Sequence, residues 1–103
     1  MTIKTANVTV ASAGTPVRVT TDPDVAWRIV IAAKPNNTQK IYVGLAGMNK
    51  ATLSQIIHRP LTATSGEIEL RSREGAGNEL RPGDLYIDAD VNGEGALVTW
   101  YIA

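Results

Sequence analysis

The segment LYIDADVNGEGALVTWYI, residues 85–102, decides how this chain is read. Asp88, Asp90 and Asn92 followed by Gly93 reproduce the opening of a helix-loop-helix calcium site, which needs oxygen ligands at loop positions 1, 3 and 5, glycine at 6 and a bidentate glutamate at 12. Position 12 here is Thr99, and the flanks LYID and ALVTWYI are β-branched and aromatic where that motif needs helices. The same residues read better as a hairpin. With Asn92 and Gly93 at the centre of a turn that needs positive φ, Leu85 pairs with Trp100, Ile87 with Val98 and Ala89 with Ala96. A slip by one residue would mix apolar and polar faces, so the face parity is specified. A turn centred on Gly93 and Glu94 keeps that parity with other partners, and the register stays open. The second face then carries Tyr86, Asp88 and Asp90 on one strand and Leu97, Thr99 and Tyr101 on the other. Asp88 and Asp90, about 7 Å apart along the strand, are expected to be solvated carboxylates that discourage wrong pairing. A weak surface cation site shared with Glu94 is the lesser alternative.

Outward from this segment, short apolar alternations recur between turn signals. Strands are expected near 7–11, 17–20, 25–33, 40–44, 66–71, 84–91 and 96–102, separated by AGTP at 13–16, DPD at 22–24, KPNN at 34–37 and RPG at 81–83. Val25, Trp27, Ile29 and Ile31 share one face of the third segment and Ala26, Arg28, Val30 and Ala32 the other, and both faces are largely covered, so it belongs at the centre of a sheet. Glu67, Glu69 and Arg71 alternate with Ile68 and Leu70, which places 66–71 at the periphery. The spacing of Leu53, Ile56 and Ile57 after Thr52 permits an apolar helical stripe in 45–58, with a long loop holding one short helical turn the equal alternative. Such a pattern is all-β: one domain over residues 1–103, an antiparallel β-sandwich or jelly-roll-like barrel of about seven to eight strands. Residues 1–6 are a candidate extended N-terminal arm.

The composition agrees. Nine Val and nine Ile outnumber seven Leu, there is no Phe, and β-branched residues favour strands. Ten Lys and Arg balance ten Asp and Glu without a basic cluster, which argues against a nucleic-acid partner. Zero cysteines exclude a disulfide framework and a thiolate metal site. No apolar run approaches the roughly 20 residues of a membrane span, and MTIKTANVTV lacks the apolar centre of a secretory signal.

Candidate chemistry is sparse. His58 is the single histidine and stands just before Arg59-Pro60, so it reads as a loop residue rather than a zinc ligand. Gly75-Ala76-Gly77 and Gly93-Glu94-Gly95 lack the helix and lysine of a phosphate loop and read as turn glycines. No catalytic residue, cofactor-binding residue or metal ligand is assigned, and no enzymatic activity is expected. Trp27 and Trp100 are expected in the core. Tyr42, Tyr86 and Tyr101 fall on the other side of their strands and, with Leu97, are the candidate interface with another copy or another protein.

IYVG at 41–44, PLTATSGEIEL at 60–70 and the terminal LYIDADVNGEGALVTWYI together resemble a family of small structural proteins of tailed-bacteriophage virions. Members look like an N-terminal T-V strand, a Gly-Thr-Pro-Val turn, a tryptophan-bearing strand, an IYVG strand, a P-G-E-x-I-x-L strand and a YVDADVNGEG hairpin followed by aromatics. The resemblance spans most of the chain. It departs at 45–59, at Ser65-Gly66-Glu67 where proline-glycine-glutamate is usual, and at 72–80. It implies a protein of the virion surface, made in the bacterial host cytoplasm, that decorates or cements the major capsid lattice as a homotrimer at three-fold positions, with no cofactor. A carbohydrate- or receptor-binding module of a head or tail fibre, using Tyr86, Tyr101 or the 45–59 loop, is the rival expectation.

Overall fold

The structure, a computed structural model, describes residues 1–72 and 79–102. Among the described residues eight strands follow in order: β1 (Thr2–Thr9), β2 (Val17–Arg18), β3 (Arg28–Ala33), β4 (Ile41–Asn49), β5 (Ser54–Ile56), β6 (Ile68–Arg71), β7 (Tyr86–Ala89) and β8 (Gly95–Ile102). One 3-10 turn, Pro82–Asp84, leads into β7. The strands form two four-stranded antiparallel sheets, β1-β8-β3-β6 and β2-β7-β4-β5, facing each other as a sandwich rather than closing into a barrel.

Period-2 alternation builds the core. In the first sheet the row Trp100–Ile29–Leu70 lies beside Val98–Ile31–Ile68, and in the second Val17–Ile87–Val43 lies beside Ala89–Ile41. Ile31, Ile41, Ile87 and Ala96 are wholly buried, and Trp100 is only 2% exposed. Burying one such aliphatic side chain contributes about 1.5–3 kcal/mol of transfer free energy. β3 is internal and β6 is an edge strand, as their alternation implies.

The expected hairpin is not formed. Leu85, Ile87, Ala89, Ala96, Val98 and Trp100 all point inward, but from opposite sheets. β7 pairs with β2 and β4, while β8 pairs with β1 and β3. The turn itself is where the sequence puts it: Glu94 N–H donates to Val91 O at 3.3 Å, and only Gly93 of the two central residues has positive φ, at 86°. The backbone groups that a hairpin partner would satisfy are taken by others. Val10 N–H donates to Glu94 O at 2.9 Å, Gly93 N–H to Val10 O at 2.7 Å and Asp90 N–H to Lys40 O at 3.1 Å. The chain therefore steps from one sheet to the other between β7 and β8.

Three further expectations are corrected. Residues 2–6 are not a free arm; they are the first part of β1, paired with β8 from Thr2–Ile102 onward. Residues 45–58 hold no helical turn but the end of β4 and the short β5. Gly47 at φ 82°, Leu53 at 60° and Gln55 at 57° give left-handed backbone that no α-helix accommodates. Trp27 is half-buried and outward, because the regular strand starts only at Arg28 and Ala26 takes the buried place beside Leu80. Gly75 and Gly77 lie outside the described residues.

Candidate functional site

The 88–95 segment is a set of anchors. Asp88 is 1% exposed, against the expectation of a solvated carboxylate. Its alternation does place it on the outer side of the second sheet, but the turn after β1 lies over it, and Gly14 N–H donates to its Oδ1 at 2.9 Å. Ala89 N–H donates to the same oxygen at 2.7 Å. Asn92 Oδ1 accepts from Ala13 N–H at 2.8 Å, tying down the same turn. Glu94 takes Thr38 N–H at 2.8 Å and the Thr38 hydroxyl at 2.7 Å on one oxygen, and Gln39 N–H at 3.1 Å on the other. These donors hold its carboxyl below the ordinary carboxylate range, the Thr38 hydroxyl most of all.

Asp90 is occupied too. Lys50 Nζ donates to its Oδ1 at 3.1 Å and to Ala89 O at 2.7 Å, while the Tyr42 hydroxyl donates to its Oδ2 at 3.1 Å. Burial, then Asp90, raises the Tyr42 hydroxyl above its ordinary pKa. Each of the three carboxylates weighed for a cation thus accepts from separate protein donors, and the Lys50 ammonium stands where a cation on Asp90 would. Gly95 completes the segment. Asn37 Nδ2 donates to Gly95 O at 2.7 Å and Gly95 N–H to Asn37 Oδ1 at 3.3 Å.

The tyrosines and Leu97 do not form one patch. Tyr42 and Tyr86 lie on the outer side of the second sheet, with Tyr42 buried and Tyr86 half-buried, whereas Leu97 and Tyr101 lie on the outer side of the first. Alternation points each of the four away from the core, but a sandwich has two such faces.

On the first sheet the outer rows are Ile3–Tyr101–Arg28–Arg71, Thr5–Thr99–Val30–Glu69 and Asn7–Leu97–Ala32. Its centre is uncharged, and Ile3 and Leu97 are 56% and 44% exposed. One margin is charged. Arg28 Nε donates to Glu69 Oε2 at 2.6 Å and Arg71 Nε to Glu69 Oε1 at 2.6 Å. Arg71 first, then Arg28, lowers the Glu69 carboxyl below its ordinary range. The Arg28 guanidinium also lies 4.8 Å above the Tyr101 ring, whose other neighbour is Trp27 at 5.7 Å between centroids.

On the second sheet Tyr86 lines an open hollow of about 470 Å³ with Arg18, Leu45, Ala46, Gly83 and Asp84. Arg18 is fixed there by its Nε bond to Gly83 O at 2.6 Å. Leu45 and Ala46 come from the segment 45–59. His58 lines a separate hollow of about 410 Å³ that also contains Ser65 and Glu67. The Ser65 hydroxyl is engaged with the Thr62 backbone, accepting from Thr62 N–H at 2.8 Å and donating to Thr62 O at 3.0 Å, and His58 Nδ1 is 3.0 Å from Arg59 O. Compared with known proteins, the chain matches no family model, no curated protein and no solved structure.

Proposed function

We propose that this chain is a structural protein of a tailed-bacteriophage virion, a decoration or cement module that binds the assembled major-capsid lattice and stabilises it. The observation that carries the reading is the outer face of β1-β8-β3-β6, where Ile3, Leu97, Val30, Ala32 and Tyr101 form an uncharged centre beside the Arg28–Glu69–Arg71 margin. An uncharged surface on which exposed Ile3 and Leu97 alternate with Thr5, Thr99 and Asn7, beside a charged margin, suits cover by a protein partner. The lattice as partner comes from the resemblance in residues 41–44, 60–70 and 85–102. A lattice multiplies a weak contact over many copies, so a small face suffices. On this reading the protein is made in the bacterial cytoplasm and resides on the capsid surface, without catalysis. Capsids of the encoding phage assembled without it should lose heat stability and regain it when the purified protein is added; unchanged stability in both arms rejects the reading.

A second reading rests on the Tyr86 hollow. An aromatic ring beside a fixed guanidinium and a carboxylate suits a sugar, with stacking on Tyr86 and hydrogen bonds to Arg18 and Asp84. Binding on a glycan array that disappears with Tyr86→Ala would establish this carbohydrate-binding role in place of the first.

A further inference from the structure

A sandwich has four sheet edges, and three of them here are blunted. β2 pairs over two residues, β5 over three with a break in register, and β6 over four while carrying Glu69 and Arg71. Short, irregular or charged edges resist the addition of another strand. β1 differs. It runs eight residues, Thr2–Thr9, in unbroken register with β8. Its single charge, Lys4, belongs to the inner row and is neutralised within the chain by Asp24 at 2.9 Å and Asp22 at 3.6 Å.

The hydrogen-bonding side of each β1 residue follows from alternation. Val10 exchanges backbone bonds with Gly93 and Glu94, while Lys34 N–H donates to Gly95 O and Trp27 N–H to Tyr101 O. Odd residues of β8 therefore turn toward β3 and even ones toward β1, so Val8, Ala6 and Lys4 bond β8. Ile3, Thr5 and Asn7 then aim N–H and C=O at the open edge, and among the described residues no backbone bond reaches them from that side.

We infer that β1 pairs with β1 of a second copy about a two-fold axis, joining the two β1-β8-β3-β6 sheets into one. Face parity demands that odd residues meet odd ones. With Thr5 opposite Thr5 of the second copy, Ile3 meets Asn7 and about six backbone bonds form. Lys4 then lies opposite small Ala6, no like charges meet, and the outer row continues across the axis as Val30–Thr99–Thr5 followed by its own mirror order. Threonine pairs are favourable across strands, and the arrangement is self-complementary, as a two-fold interface must be. This gives a pair in place of the trimer that the resemblance implies, and it stands whether or not the protein binds a capsid.

Sedimentation equilibrium or light scattering on the purified chain should give twice the 11.0 kDa chain mass at high concentration. Thr5→Pro removes an edge N–H without removing a bond to β8, and Thr5→Lys places charge at the axis. Both should reduce the mass to one chain while near-ultraviolet circular dichroism stays native. Amide exchange at Ile3, Thr5 and Asn7 should be slow in the pair and fast in Thr5→Lys. A monomer at all concentrations, a trimer, or a pair that keeps its mass in a folded Thr5→Lys overturns the inference.

Discussion

Gly95 lies so close to Val8 that a Cβ on it would fall inside the Val8 carbonyl. The contact is backbone against backbone, and it sits where the chain, having crossed from the second sheet, enters β8 beside β1. Gly95→Ala is expected to destabilise the fold by about 3 kcal/mol or more, the upper end for overpacking, because backbone rather than a flexible side chain must give way. Gly93→Ala, which meets open space but has φ 86°, should cost only about 1–2 kcal/mol. Urea midpoints of the two variants check the order.

Asp88 acts through one oxygen. Asp88→Ala removes the acceptor of the buried Ala89 N–H and of the part-buried Gly14 N–H and should cost about 1–3 kcal/mol. Asp88→Asn retains an acceptor and should recover at least half of that loss. Equal losses in thermal unfolding of the two variants would show that charge, not the bond to Gly14, matters.

Acid should weaken the fold. Glu94, Glu69 and Asp24 all titrate below their ordinary values; Asp24 is held down by Lys4 first and by the Trp100 N–H second. The folded protein thus binds fewer protons than the unfolded chain over this range, and stability rises with pH. The contribution is complete above roughly pH 4, the unfolded carboxylate range, and is lost as pH falls through the lower folded values. Denaturant midpoints measured from neutral to acid pH should fall in that window, and Glu94→Gln should flatten the fall.

Calcium should leave the protein unchanged. Asp88 Oδ1 and both oxygens of Glu94 already accept from backbone N–H groups, and Lys50 holds Asp90. Equal melting temperatures in millimolar calcium and in chelator are expected; a calcium-dependent rise that Asp90→Asn removes would contradict the assignment.

The faces of the strands were legible in the sequence, and their neighbours were not. A period of two tells which way Ile87 and Val98 point, but it is the same whether they lie side by side in one sheet or oppose each other across a core. The overlooked signal was the second glycine of NGEG, since a glycine just inside a strand marks close backbone approach, here to Val8. Asp88 is buried on an outward-facing position because the 10–16 turn covers it, a contact on which alternation is silent. The segment 45–58 was obscured by left-handed backbone at Leu53 and Gln55, residue types that give no warning of it. Tyr101 and Leu97 share one outer face while Tyr42 and Tyr86 share the other, a division that alternation cannot show because the sheet boundary between β7 and β8 leaves no mark in it.

Cosedimentation with capsids of the encoding phage, comparing the natural chain with Leu97→Glu and Tyr86→Ala, tests the proposed role most directly. Leu97→Glu changes an exposed position and should leave stability within about 1 kcal/mol. The account predicts that the natural chain and Tyr86→Ala pellet with capsids while Leu97→Glu stays in the supernatant. Failure of the natural chain to pellet, or pelleting of all three alike, would contradict it.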